Sequence, residues 1–198
     1  MSEPAGFRQL GEETLWKGHV VSAARGRFVG PDGTEFEREV VRHPGAVSVV
    51  PLRDDGTVIL VRQYRSAVDR ELLEIPAGKC DVAGEDRALT ARRELEEEIG
   101  IRAGRLDHLC DFLNSPGFCD ESSSIFLARD LEACPTDTHG VEEQHMTIEH
   151  VALADVPSLI ASGAIVDAKT IIGLLLALQM STGGRDRDGP PGGGPRDG

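Results

Sequence analysis

Cations, aromatic rings, paired cysteines and long apolar runs are all scarce in this chain of 198 residues. Lys and Arg number 21 against 34 Asp and Glu, a formal charge of -13. Such a field repels phosphate backbones and anionic lipid, which disfavours a nucleic-acid or membrane-surface role. A phosphorylated ligand would need local arginines or a divalent cation to offset it. Aromatic residues make up only 4%, too few for extended stacking platforms. The four cysteines, Cys80, Cys110, Cys119 and Cys134, form no CxxC pair, which argues against a zinc cluster and suits reduced thiols in a cytoplasm. The opening residues MSEPAGFRQLGEE lack the basic start and apolar run of a signal peptide. The most apolar run, IIGLLLALQM at 171–180, is too short to cross a bilayer. The expectation is a cytoplasmic protein with neither membrane nor nucleic-acid partner.

What is present reads as one globular fold of mixed α and β elements. Hydrophobic residues at 39% and charged residues at 28% are ordinary values, and the length supports a core without disulfide or metal staples. Residues 14–42 alternate apolar and polar side chains around GPDGTE at 30–35, which predicts an N-terminal hairpin region. Strands follow in GAVSVVPL (45–52) and TVILVRQYR (57–65), joined by RDDG. A helix over 86–99 is stopped by Gly100, suited to a left-handed cap. Strands are predicted around 106–113, 123–131 and 146–153, and two helices close the fold, the second capped by Asp167. This divides the chain into an N-terminal β region (1–44), a main domain (45–182) and a Gly- and Pro-rich tail (183–198) expected to be disordered.

The helix carries the densest chemistry. In ARRELEEEIG at 91–100, Glu97 lies about 60° to one side of Glu94 and Glu98 about 40° to the other, so three carboxylates share a face. Ala88, Leu95 and Ile99 are predicted to form the buried stripe beside them. Like charges at i, i+4 each cost a helix about 0.2–0.5 kcal/mol, so the cluster asks for a compensating cation. Hard carboxylate oxygens without histidine suit Mg²⁺, which keeps water and substrate phosphate in its remaining positions. A solvated acidic face balanced by Arg92 and Arg93 is the bland alternative.

The surroundings decide between them. The segment GKCDVAGEDRALTARRELEEEIGI at 78–101 resembles the Nudix box, the signature of hydrolases acting on a nucleoside diphosphate linked to another group. It fills every defining position from Glu85 to Ile101, with one departure: six residues rather than five separate Gly78 from Glu85. The extra residue falls in a loop, where insertion is tolerated. DVAGE in that loop looks like the variant of actinobacterial ADP-ribose hydrolases. VRQYR (61–65), REVVRHPGAV (38–47), LLEIPAG (72–78), VDAKT (166–170) and Pro116, 16 positions beyond Gly100, resemble the ADP-ribose pyrophosphatase branch of that family. The similarity spans about 14–180.

The resemblance implies an α+β Nudix fold, a mixed β-sheet sandwiched between helices (α/β/α), with an N-terminal antiparallel strand region. It implies metal-dependent hydrolysis of ADP-ribose to AMP and ribose 5-phosphate. Other nucleoside diphosphate sugars or dinucleotides such as GDP-mannose and NADH, or a sensing module without hydrolysis, are the alternatives. Carried onto this sequence, Glu94 and Glu98 are the principal ligands for Mg²⁺ or Mn²⁺, joined by Glu97 directly or through water and by the Ala77 carbonyl. Arg93 and Glu85 orient the cluster. Arg65 meets the diphosphate, and Arg38 reaches it across a homodimer interface formed by the N-terminal strands. Trp16, Phe28 and His19 are candidates to stack on adenine, with Pro116 at the substrate site. The general base is Glu142 or Glu143, left open between them.

Overall fold

The computed structural model describes residues 6–137 and 141–183. Three antiparallel strands open the chain: β1 (Arg8–Lys17), β2 (Ser22–Val29) and β3 (Glu35–Arg42), in the order β1-β2-β3. The predicted turn is there between β2 and β3. Asp32 accepts from the Thr34 backbone N–H at 3.0 Å and its hydroxyl at 2.8 Å, and Gly33 takes φ of +84°. The strand from Arg8 goes beyond the predicted hairpin. Nearly all its residues are exposed, so no core face imprints an alternation on its sequence, and pairing with β2 alone makes it a strand.

The remaining strands form two hydrogen-bonded groups that share one layer of helices on each side. β4 (Ala46–Pro51), β7 (Ala77–Lys79), β8 (Ile101–Leu113) and β9 (Ser122–Ala133) run in the order β7-β4-β9-β8. β4 lies parallel to β9 and antiparallel to β7, which makes this sheet mixed. β5 (Thr57–Arg65), β6 (Arg70–Glu74) and β10 (Thr147–Ala152) run in the order β10-β5-β6.

Because successive side chains on a strand point to opposite faces, β4, β5 and β9 feed two cores. Val47, Val49, Ile59, Val61 and Phe126 pack with Leu95 and Ile99 of α1 (Arg87–Ile99). Val50, Val58, Leu60, Ile125 and Leu127 pack with Leu174 and Ala177 of the C-terminal helix. The result is the expected α/β/α arrangement. The short α2 (Val141–Gln144) follows β9, and α3 (Val156–Ala161) and the C-terminal α4 (Ala168–Gly183) follow β10.

Local signals hold at both ends of α1 and at the start of α4. Asp86 caps α1 by accepting from the Ala88 N–H at 2.8 Å, and Gly100 closes it in the left-handed region at φ 63°, ψ 39°. Asp167 caps α4 by accepting from the Thr170 N–H at 3.0 Å. The buried stripe of α1 differs by one turn from its expectation: Ala91 joins Leu95 and Ile99, while Ala88, in the first turn, packs only at the margin of that core. No helix among the described residues is long and apolar enough to cross a membrane. The predicted tail lies outside the described residues, apart from Gly183 at the end of α4.

Candidate active site

A cavity of about 660 Å³ opens where the ends of β5, β6 and β7 meet α1 and the start of α4. Its acidic wall is Glu94 and Glu98 of α1. Glu98 is only 6% exposed, and one of its oxygens accepts the Ala77 N–H at 3.0 Å, which ties the helix to β7. Glu94 lies against Gly78: a Cβ built on that glycine would stand 1.9 Å from the Glu94 carboxyl carbon. The missing side chain at position 78 is therefore the space that this glutamate occupies.

Arg93 gathers the neighbouring carboxylates. Its guanidinium stands 3.1 Å from Glu94, donates to Glu97 at 3.0 Å and reaches Glu85 at 3.4 Å. Glu85 is held in turn by the Thr90 hydroxyl at 2.8 Å. Burial pulls the Arg93 pKa down, but Glu94, Glu85 and Glu97 outweigh it and the net direction is upward. Glu97 thus turns toward Arg93, and no three His, Cys, Asp or Glu side chains among the described residues are grouped to hold one ion. Glu94 and Glu98, by contrast, present hard oxygen donors at the cavity, a chemistry that fits Mg²⁺ or Mn²⁺.

A second wall carries cations. Arg65, at the end of β5, forks onto Glu74 of β6 with Nε 2.8 Å from one oxygen and Nη2 2.6 Å from the other. Lys169 donates to the same carboxylate and, at 2.9 Å, to Asp167. Burial pushes the Glu74 carboxyl up, yet the Arg65 bonds and Lys169 overcome it and hold the group below the ordinary carboxylate range. The bonds to Glu74 raise the Arg65 pKa, and the charge of Glu98 adds to that shift, so acidic and basic walls are electrostatic neighbours.

Of the residues singled out from sequence, the cavity brings together Arg65, Ala77, Glu94, Glu98 and Glu142. Glu142 lies on α2. Its neighbour Glu143 has a side chain outside the described residues. Arg93, Glu85 and Glu97 stand just behind the acidic wall. Arg38 is elsewhere, over the Phe36 ring at 4.8 Å in a groove of the N-terminal sheet. Phe28 stacks on Phe36 at 5.5 Å, and Trp16 is exposed on β1. His19 follows β1 in an exposed turn. Pro116 sits in the turn after β8, which β3 clasps through Val41 N–H to Phe118 O at 2.7 Å. None of these five lines the cavity.

The sequence did not single out Glu74, Lys169 or Tyr64 as cavity residues. The first two lie 95 positions apart, and only the fold shows that they meet. Tyr64 precedes Arg65 on an alternating strand, and its hydroxyl donates to Asp69 at 2.7 Å.

Known proteins bear on this geometry. The sequence model of the NUDIX domain matches residues 42–174. An ADP-ribose pyrophosphatase of Bacillus subtilis (strain 168) is 37% identical over 163 residues, covering 82% of this chain and 88% of that protein. An ADP-ribose pyrophosphatase of Mycobacterium tuberculosis is 38% identical over 177 residues, covering 89% and 86%. A crystal structure of an ADP compounds hydrolase superposes with a TM-score of 0.78 at 23% identity, covering 93% of this chain and 98% of that one, a likeness of fold.

Proposed function

The chain belongs to the Nudix family, whose hydrolases generally use divalent metal ions, and on that premise we propose that it hydrolyses ADP-ribose to AMP and ribose 5-phosphate. The observation that carries this reading is the single cavity whose lining includes both Glu94 and Glu98 and the Glu74-held Arg65. A diphosphate needs both walls: donors for its oxygens and carboxylates for the cations that accompany it. The two ADP-ribose pyrophosphatases at 37% and 38% identity support the choice of nucleotide.

Glu94 and Glu98, with the Ala77 carbonyl, would hold Mg²⁺ or Mn²⁺, and Glu97 would join directly or through water. A bound ion supplies positive charge that polarises the phosphoryl oxygens and makes water easier to deprotonate. Arg93 keeps Glu94 and Glu97 in place, with Glu85 behind it. Arg65 donates to a non-bridging phosphate oxygen. Glu142 takes the proton of the attacking water. A new P–O bond forms at one phosphorus as the bridging P–O bond breaks, and the other half leaves as a phosphate monoester.

We assign residues 45–182 to catalysis and the strands within 1–44 to pairing of two chains. Phe7, Leu10, Leu15 and Trp16 are large apolar side chains exposed there, surface that a second copy of the sheet would cover. In a homodimer Arg38 would reach the partner's diphosphate, and Trp16 or Phe28 would meet its adenine. The free thiols of all four cysteines suit a reducing cytoplasm.

The test is a panel of nucleoside diphosphate sugars and dinucleotides with Mg²⁺ or Mn²⁺, read by phosphate release from the monoester products with added phosphatase. ADP-ribose should give AMP and ribose 5-phosphate in equal amounts, and chelation should stop the reaction. Cleavage of another member with ADP-ribose untouched would overturn the substrate assignment.

A further inference from the structure

The cation wall is built more elaborately than one arginine requires. Glu74 is 1% exposed, and two cations converge on it from distant parts of the chain. Arg65 arrives from β5 and Lys169 from the first turn of α4. That turn is fastened to β6 beside Glu74: the buried Thr170 hydroxyl accepts the Ile75 N–H at 3.0 Å and donates to Asp167 at 2.6 Å. Lys169 is therefore presented to Glu74 by a rigid support, and its ammonium bridges Glu74 and Asp167.

Charge shows what the bridge does. The carboxylates of Glu74, Glu94, Glu98, Glu121, Glu142 and Asp167 line the cavity, against the cations Arg65, Lys79 and Lys169. With Lys169 absent, Arg65 would be the sole cation on Glu74, a closed pair with little charge to offer an arriving anion. With it present, the Arg65–Glu74–Lys169 group is net positive. Asp167, bonded to the same ammonium, brings the formal sum of the four groups to zero where it would be -1 without Lys169, and its charge is also met by the N-terminus of α4, which it caps. The two-point fork onto Glu74 fixes the plane of the guanidinium, whose side chain remains 40% exposed at the cavity.

We propose that Lys169 is a positioning residue for diphosphate binding, acting through Glu74 to keep the Arg65 fork fixed and electropositive toward the ligand. This rests on the diphosphate reading above. It makes the start of α4 part of the substrate apparatus, although Lys169 acts on the ligand only through Arg65.

Isothermal titration of the full chain with ADP-ribose and with inorganic pyrophosphate, without divalent metal, tests it on four proteins: wild type, Lys169→Met, Arg65→Gln and the double variant. Lys169→Met should weaken binding about tenfold, and by less than about twofold in the Arg65→Gln background, because the effect passes through Arg65. Lys169→Arg, which keeps the charge and guards against a folding defect in the methionine variant, should stay within about threefold of wild type. Lys169→Met binding as tightly as wild type, whatever its melting temperature, would leave only a packing role and overturn the proposal. So would an undiminished loss in the Arg65→Gln background. If wild type binds pyrophosphate but not ADP-ribose, the substrate reading falls while the pyrophosphate cycle still decides the coupling. Failure of wild type to bind either ligand without metal overturns the positioning role, and the hydrolysis panel with Mg²⁺ then decides the substrate reading by itself.

Discussion

Replacing Gly78 with alanine sets a methyl group in the space that Glu94 fills. The new Cβ would stand 1.9 Å from the Glu94 carboxyl carbon and 2.1 Å from its Cγ. To reach ordinary contact at 3.4 Å the carboxyl carbon must retreat about 1.5 Å. Gly78 is not among the glycines with positive φ, so the backbone accepts alanine, and the strain falls on a side chain that can swing about its Cα–Cβ bond. Overpacking of this kind costs about 1–3 kcal/mol, or roughly 2–12 °C in melting temperature for a chain of this length. The fold should survive. A displacement of about 1 Å in a catalytic group costs about a hundredfold in rate, so kcat on ADP-ribose should fall by at least that factor. Phosphate release in saturating Mg²⁺, beside calorimetric melting, reads both quantities. A Gly78→Ala protein within threefold of wild-type kcat would show that the position of Glu94 against β7 does not matter to the chemistry.

Glu98→Gln keeps an oxygen to accept the Ala77 N–H but removes the charge, so turnover should drop by more than about a thousandfold with melting almost unchanged. Near-normal activity would refute Glu98 as a metal ligand. Glu74 has its pKa depressed in the folded chain by Arg65 and Lys169. Its contribution to stability is therefore complete above the ordinary glutamate value of about 4.3 and is lost as pH falls through the lower folded value. Urea melts of Glu74→Gln should show a shallower acid limb than wild type, and identical limbs would contradict the assignment. Mixing Arg38→Ala with Glu98→Gln should restore roughly a quarter of wild-type activity if Arg38 works across a two-fold interface. Gel filtration should show a dimer, and a mixture as inactive as its parents would remove Arg38 from the partner's site.

How much of this could be read from residues alone depended on how local the cause was. The α1 boundaries were legible because Asp86 and Gly100 are short-range caps. The turn at 30–35 was legible because Asp32 and Gly33 carry its geometry. Glu94 and Glu98 could be named from helical periodicity and the box. That Glu97 turns to Arg93 could not, since periodicity fixes a face and leaves the rotamer open. The part of β1 before residue 14 escaped because its exposed residues carry no core pattern. Glu74 read as an ordinary strand residue within LLEIPAG, and its role as the anchor of two cations required β5, β6 and α4 to be assembled. Pro116 lies in a loop that bonds to Val41 of β3 and does not itself line the cavity, a placement that no local pattern announces.

The parallel pairing of β4 with β9 sets an order of events as the protein is made. Ala46 lies opposite Ser123, so Val47, Val49 and Val50, almost wholly buried in the finished fold, leave the ribosome well before their neighbour on that side exists. At usual elongation rates the wait is roughly 4–15 s. During it β4 is a sticky apolar ribbon with one flank unprotected, and a nascent chain stalled before residue 122 is a natural client for a holding chaperone.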